Sequence, residues 1–255
     1  MTQWIRFAEN SVEGFGRLDG TTIAVHAGDM FAAPQPTGRT VALDAVTVSV
    51  PAAAGKMVAL WNNFHALAAK LGNRVPPEPL YFIKGNGSYF ATGQVIRRPP
   101  SYAGKVIFEG ELGIVIGRTC RAVSEADASA HIFGYTCVND VTAVDLLNKD
   151  ATFAQWTRAK SFDTFGVFGP VVATGLDPAS LTVRTLVNGR ERQNYRVDDM
   201  IFAPAELVSR ISQDMTLVPG DVIACGTSLG VLPMKPGTVI EVVIEGIGTL
   251  RNPYG

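Results

Sequence analysis

Glu109 and Glu111, one glycine apart inside the run VIFEGELGIVIG, constrain this chain more than any other feature. The run from Val106 to Gly117 is dense in Val, Ile and Phe and closes on a glycine, which reads as one strand. Alternate side chains of a strand share a face, so the two carboxylates lie on one side, about 6–7 Å apart along the backbone. Adjacent carboxylates in apolar surroundings repel, and burying them is costly unless something neutralises them. A divalent cation does so, and Asp140 from the later run GYTCVNDVTAVD supplies a third acidic oxygen. An all-oxygen set of that kind suits magnesium or manganese. A Glu-X-Glu pair is also what the wet face of an antiparallel strand carries, so both readings stand at this point.

The 255 residues are 47% hydrophobic and 18% charged, ordinary for a soluble globular protein. A net charge of −1 with scattered Lys and Arg gives no nucleic-acid footprint. No apolar run reaches membrane-spanning length, and MTQWIRFAEN lacks the basic start and apolar core of a signal peptide. Cys120, Cys137 and Cys225 are odd in number and widely spaced, so they read as buried free thiols in a reducing cytoplasm. His26, His65 and His131 have no paired spacing, which argues against an imidazole zinc site.

Along the chain, Trp4–Phe7, Gly16–Leu18, Thr22–His26 and Val41–Val48 read as short strands, with Pro34, Pro36 and Gly38 breaking the middle. Residues 1–52 therefore form a small N-terminal β domain ahead of a domain over 53–255. Lys56–Trp61 is an apolar strand, and Phe64–Leu71 carries the Ala and Leu content of a short helix stopped by Gly72. With Pro76, Pro77 and Pro79 behind it, the segment 62–79 reads as a lid. His65, at its start, is either a lid catalyst or a partly exposed helix-start histidine. Lys84, closing the strand Leu80–Lys84, is either a solvated strand end or a point charge for an anionic substrate. SEADASAHIFGY is the clearest helix, capped by Ser124 and ended by Gly134. Further short helices fall at Phe153–Lys160 and Ala205–Ser212, and Asn188–Gly189 marks a hairpin. The fold class is α+β, dominated by sheet.

The order FEGELGIVIG, GYTCVNDVTA, WTRAKSFDTFGVFGP, VNGRERQ, LVPGDVIACGTSLGV and IEGIGTLRNP resembles the fumarylacetoacetate hydrolase superfamily, in its acylpyruvate hydrolase and 2-hydroxyhepta-2,4-diene-1,7-dioate isomerase-like branch. The likeness spans about Met57 to Asn252. It implies a mixed β-roll behind a small N-terminal β domain, a homodimer, and Mg2+ or Mn2+ held by Glu109, Glu111 and Asp140. It implies 2-oxo acid substrates of the kind met in aromatic catabolism, with Lys84, Lys160 and Thr227 at positions that contact substrate oxygens. A 2-oxo acid chelates a cation through carboxylate and keto oxygens, and the cation stabilises a pyruvate enolate.

Departures bear on the reaction. Acylpyruvate-hydrolysing relatives carry a lid histidine followed three residues later by glutamate; here His65 is followed by Ala68, and the preceding Asn-Tyr is Trp61-Asn62. Another arrangement draws a late-strand glutamate, which corresponds to Glu241. A family arginine is Val144 and a glutamine is Leu147, which points to a more apolar tail pocket or a product without a second carboxylate. Hydrolysis of a 2,4-dioxo acid stands narrowly first, with His65, Lys84, Lys160, Thr227 and Glu241 as catalytic residues. Decarboxylation or keto–enol isomerisation, as in homoprotocatechuate degradation, stands second, and an idle binding protein third.

Overall fold

The computed structural model describes all residues, Met1 to Gly255. Most of the chain folds onto one large sheet. Its strands lie in the order Gln35–Ala42, Thr22–Ala27, Val12–Asp19, Thr2–Glu9, Gly166–Thr174, Ile132–Asp140, Gly110–Ile116, Val222–Ala224, Met57–Trp61 and Leu80–Lys84. The pairings along this path are antiparallel except where Val222–Ala224 runs parallel to Met57–Trp61. A second, four-stranded sheet is ordered Arg190–Arg196, Thr182–Val187, Thr238–Ile244 and Gly248–Tyr254. Apolar side chains from both sheets fill one large core cluster, a smaller one gathers Met57, Phe82, Phe168 and Val222, and the protein is β-dominated as expected. No helix is long and apolar enough to cross a membrane.

The N-terminal strands are not a separate sheet. Thr2 pairs with Thr174 and Trp4 with Val172, so they extend the central sheet outward. The expected break at Pro36 and Gly38 is instead a strand, Gln35–Ala42, and the expected strand Val41–Val48 begins with its last two residues and then turns through Leu43–Ala45. Gln35–Ala42 is an outer, mostly exposed strand, and proline is tolerated there because no inner ladder depends on its missing N–H.

Local signals account for several other elements. Gly72 ends the helix His65–Leu71 in the left-handed region, φ 69°, where its N–H reaches Ala69 O. Asn188 and Gly189 both have positive φ and turn Thr182–Val187 into Arg190–Arg196. Ser124 does cap its helix, accepting from Asp127 N at 3.2 Å. That helix is shorter than expected: it runs Glu125–Ala128, tightens through Ser129–His131, and gives way to strand at Ile132. Pairing of Ile132 with Ile116 wins over local helix propensity, and Gly134 lies in the strand. The three cysteines are free and buried.

The expected single strand Val106–Gly117 is two pieces, Val106–Ile107 and Gly110–Ile116. Between them Glu109 N donates to Asn139 Oδ1 at 3.0 Å, while Asp140 N donates to Glu109 O at 2.9 Å. A side-chain acceptor replaces a ladder partner, so the backbone breaks at the first glutamate and re-aims it.

Candidate active site

Two neighbouring strands set the acidic residues. Gly110 pairs with Asn139, so Glu109 and Glu111 flank the point where Ile132–Asp140 ends in Asp140. Ligand oxygens of Glu109, Glu111 and Asp140 lie within 4.8 Å of one another. Two lysines close on them. Lys84, completely buried at the end of Leu80–Lys84, pairs with Asp140 Oδ1. Lys160, the last residue of the helix Trp156–Lys160, donates to Asp140 Oδ2 at 2.5 Å and Glu109 Oε2 at 2.7 Å. Lys84 is thus no solvated strand end, and the glutamate pair is no wet strand face.

Charge and burial compete here. Burial pushes the Glu111 carboxyl well above the usual range, and the neighbouring Asp140 and Glu109 add to that. Glu109 is also raised by burial, with Lys160 opposing. Burial would raise Asp140 too, but the ammoniums of Lys160 and Lys84 outweigh it and hold Asp140 low. Burial lowers Lys84 despite its Asp140 partner. The same burial acts on Lys160, yet the attraction of Asp140, Glu109 and Glu111 more than offsets it and raises that group.

The donor set fits a divalent ion. Three carboxyl groups face two ammoniums, and burial opposes ionisation of Glu109 and Glu111 unless a cation offsets it. Glu111 Oε2 accepts from Gly226 N at 2.8 Å, but Glu111 Oε1 is buried without any hydrogen-bond partner. A buried carboxylate oxygen without a partner is costly. Hard oxygen donors select magnesium or manganese over softer metals.

A second layer of side chains grips Gly110, between the two glutamates. Gln193 Oε1 accepts from Gly110 N at 3.0 Å, and its Nε2 donates to Thr227 Oγ1 at 2.8 Å and Ser228 O at 3.2 Å. The Thr227 hydroxyl donates to Gly110 O at 2.9 Å, and the Tyr195 hydroxyl to the same oxygen at 2.5 Å. Thr227 therefore sits beside Gly110, and its proton is committed to the backbone. The glycine itself is required: a Cβ there would stand 2.0 Å from Thr185 Oγ1. Gln193 and Tyr195 escaped the sequence reading because RERQNYR is polar throughout, so nothing marks which residues turn inward. Gln193 does close the motif VNGRERQ, but that motif marks the family and not the direction in which the side chain turns.

His65 and Glu241 are not drawn into the cluster. His65 is exposed at the start of its helix, where Asp199 Oδ2 accepts from Ala66 N at 3.0 Å. Glu241 alternates with the buried Ile240 and Val242, points to the other face of its strand, and pairs with Arg251 at 3.3 Å. The expectation of Glu241 as a catalytic base gives way to that alternation. Ala68, at the place of the lid glutamate, is buried.

A β-dominated fold that converges three carboxylates and two lysines in its interior defines an enzyme site of the acidic, ion-chelating class. The chain belongs to the fumarylacetoacetate hydrolase superfamily: residues 56–254 match the Fumarylacetoacetate (FAA) hydrolase C-terminal family and residues 2–51 match the Rv2993c-like, N-terminal family. It is 44% identical to Protein Rv2993c of Mycobacterium tuberculosis, covering 88% of this chain and 84% of that one. It is 35% identical to the oxaloacetate tautomerase YisK of Bacillus subtilis, over 81% of this chain and 71% of that one. Among solved structures, 2-hydroxyhepta-2,4-diene-1,7-dioate isomerase from Mycobacterium marinum superposes with TM-score 0.91 at 39% identity, covering 100% and 98% of the two chains. The fumarylpyruvate hydrolase of Pseudomonas aeruginosa, in complex with Mn2+ and pyruvate, gives 0.73 at 27% identity, covering 79% and 89%.

Proposed function

We propose that the protein interconverts keto and enol forms of a 2-oxo acid, with decarboxylation as the related second activity, and that Glu109, Glu111 and Asp140 hold the Mg2+ or Mn2+ it needs. The observation that carries this reading is negative charge gathered around two buried lysines, with the water-activating residues elsewhere. Cleaving a 2,4-dioxo acid by hydrolysis needs a base that takes a proton from water. Ala68 has no such group, Glu241 faces away beside Arg251, and His65 stands exposed without a carboxylate partner. Hydrolysis, the first expectation from the sequence, therefore ranks behind isomerisation. The names borne by the Bacillus subtilis and Mycobacterium marinum relatives agree with that order.

The ion's contribution when bound is Lewis-acid stabilisation of negative charge on the oxygens of a 2-oxo acid. The chain supplies the rest. Lys160 spends two of its three N–H donors on Asp140 and Glu109, which leaves one for an incoming oxygen. Lys84 Nζ, whose affinity for a proton is lowered by burial, is the group suited to moving a proton between substrate carbon and oxygen. Its complete burial, and that of Asp140 and Glu111, would keep bulk water from exchanging with the proton it moves.

Product analysis tests the proposal. Enol and keto oxaloacetate, acetylpyruvate and fumarylpyruvate are offered in turn with Mg2+ or Mn2+. Keto–enol conversion or CO2 release is expected to dominate; efficient cleavage of acetylpyruvate to acetate and pyruvate would overturn it in favour of hydrolysis.

A further inference from the structure

Lys160 occupies the end of a helix only five residues long, Trp156–Lys160. A helix that short does not hold itself in water. Its N-cap, Gln155, makes no side-chain capping bond, and the residues leading into it from Asn148 to Ala154 are exposed. Yet its last side chain is set among Asp140 and Glu109, only 3% exposed. The helix must be fixed by what it packs against.

Trp156 and Lys160 are four residues apart, so they share one helix face. That face closes on one ring. Trp156 stacks on Phe82 with centroids 5.2 Å apart and planes 19° from parallel, while Lys160 Nζ stands 5.1 Å from the Phe82 centroid. Phe82 in turn shares the buried face of Leu80–Lys84 with Lys84, two residues on. Phe82 thereby neighbours Lys160 through its ring and Lys84 along its strand. Trp61, last residue of Met57–Trp61 and four before His65, brings its ring to 5.5 Å from Trp156.

We propose that Trp156 is a positioning residue: its stack on Phe82 fixes where the Lys160 ammonium stands in the site. The stack seats the helix, the i,i+4 spacing aims Lys160 across the same ring, and the carboxylates receive it already placed. Trp61 extends the stack to the segment leading into the helix His65–Leu71, so this aromatic row also joins that segment to the lysine. The acidic residues are held by other strands and by the Gln193 grip, so losing Trp156 displaces Lys160 without displacing them.

The test reads the two lysines separately. The full chain is acetylated with a small active ester and each lysine is followed by peptide mass spectrometry, with the wild type protecting both Lys84 and Lys160. Trp156→Ala is expected to speed acetylation of Lys160 by about tenfold or more while Lys84 stays protected, because opening is local, and Trp156→Phe restores protection. Equal protection of Lys160 in Trp156→Ala and wild type overturns the proposal, as does parallel exposure of both lysines. Should the alanine variant not fold, Trp156→Leu, which keeps apolar bulk without a ring, takes its place under the same criteria. A second arm, which rests on the 2-oxo acid reading above, titrates pyruvate calorimetrically with saturating Mn2+. Trp156→Ala is expected to weaken pyruvate about tenfold under that saturating Mn2+. If the wild type takes up no pyruvate but the labelling follows expectation, the functional reading fails and the positioning role stands.

Discussion

Asp140→Asn tests the charge balance of the site directly. Asp140 offers one oxygen to each lysine, Oδ1 to Lys84 and Oδ2 to Lys160, and all three side chains are buried. Asparagine keeps the shape but has a single acceptor, and its NH2 must confront one of the ammoniums. Lys160 retains Glu109 at 2.7 Å, whereas Lys84 retains only Val141 O at 3.4 Å. Removing one partner of a buried pair costs about 3–5 kcal/mol. For a chain of this size that lowers the melting temperature by roughly 6–20 °C. Lys84 escapes part of the cost by releasing its proton, since burial already lowers its affinity for one. A lysine with a depressed folded-state pKa binds fewer protons folded than unfolded, so stability rises with pH between the two values. The deficit of Asp140→Asn is therefore largest below the Lys84 titration while wild-type Asp140 is still ionised, and it shrinks toward the ordinary lysine range, near about 10. Urea unfolding of both proteins in chelator, at pH 6 and pH 9, measures it. A variant as stable as wild type at pH 6, or a deficit that grows with pH, would refute the account.

Three further outcomes follow from the same geometry. Glu111→Gln is expected to leave the metal-free protein as stable as wild type or more so at pH 8, because the charged carboxylate is costly there. The same change should weaken Mn2+ at least about 100-fold by calorimetry, and near-native affinity would remove Glu111 from the ion site. Because Glu109 and Glu111 hold their protons above the usual carboxylate range, Mn2+ uptake should release protons and tighten as pH rises; a pH-independent affinity contradicts this. Gln193→Leu strips partners from Gly110 N and Ser228 O, at about 1–3 kcal/mol for each buried group, and should weaken Mn2+ by about 10–100-fold. Unchanged thermal stability and Mn2+ binding would make the Gly110 grip incidental.

Much of this protein was legible in its residue order. Alternation and β-branched content mark most strands, Gly72 stops its helix, Asn188–Gly189 makes its hairpin, and Ser124 caps where expected. These are local effects of backbone dihedrals and short-range hydrogen bonds, which neighbouring residues settle among themselves. The six motifs in series sufficed to place the chain in its family, and Glu109, Glu111, Asp140 and Lys160 from them meet in the fold. What the sequence withheld depends on partners distant along the chain. The break at Glu109 needs Asn139, the commitment of the Thr227 proton needs Gly110, and the shortened helix after Ser124 needs Ile116. Whether Glu241 faces the site or solvent turns on strand register, which a seven-residue run of near-uniform apolarity does not fix. Burial of Lys84 is likewise decided by packing, because a lysine ending an apolar strand reads the same wet or dry until the rest of the sheet closes over it.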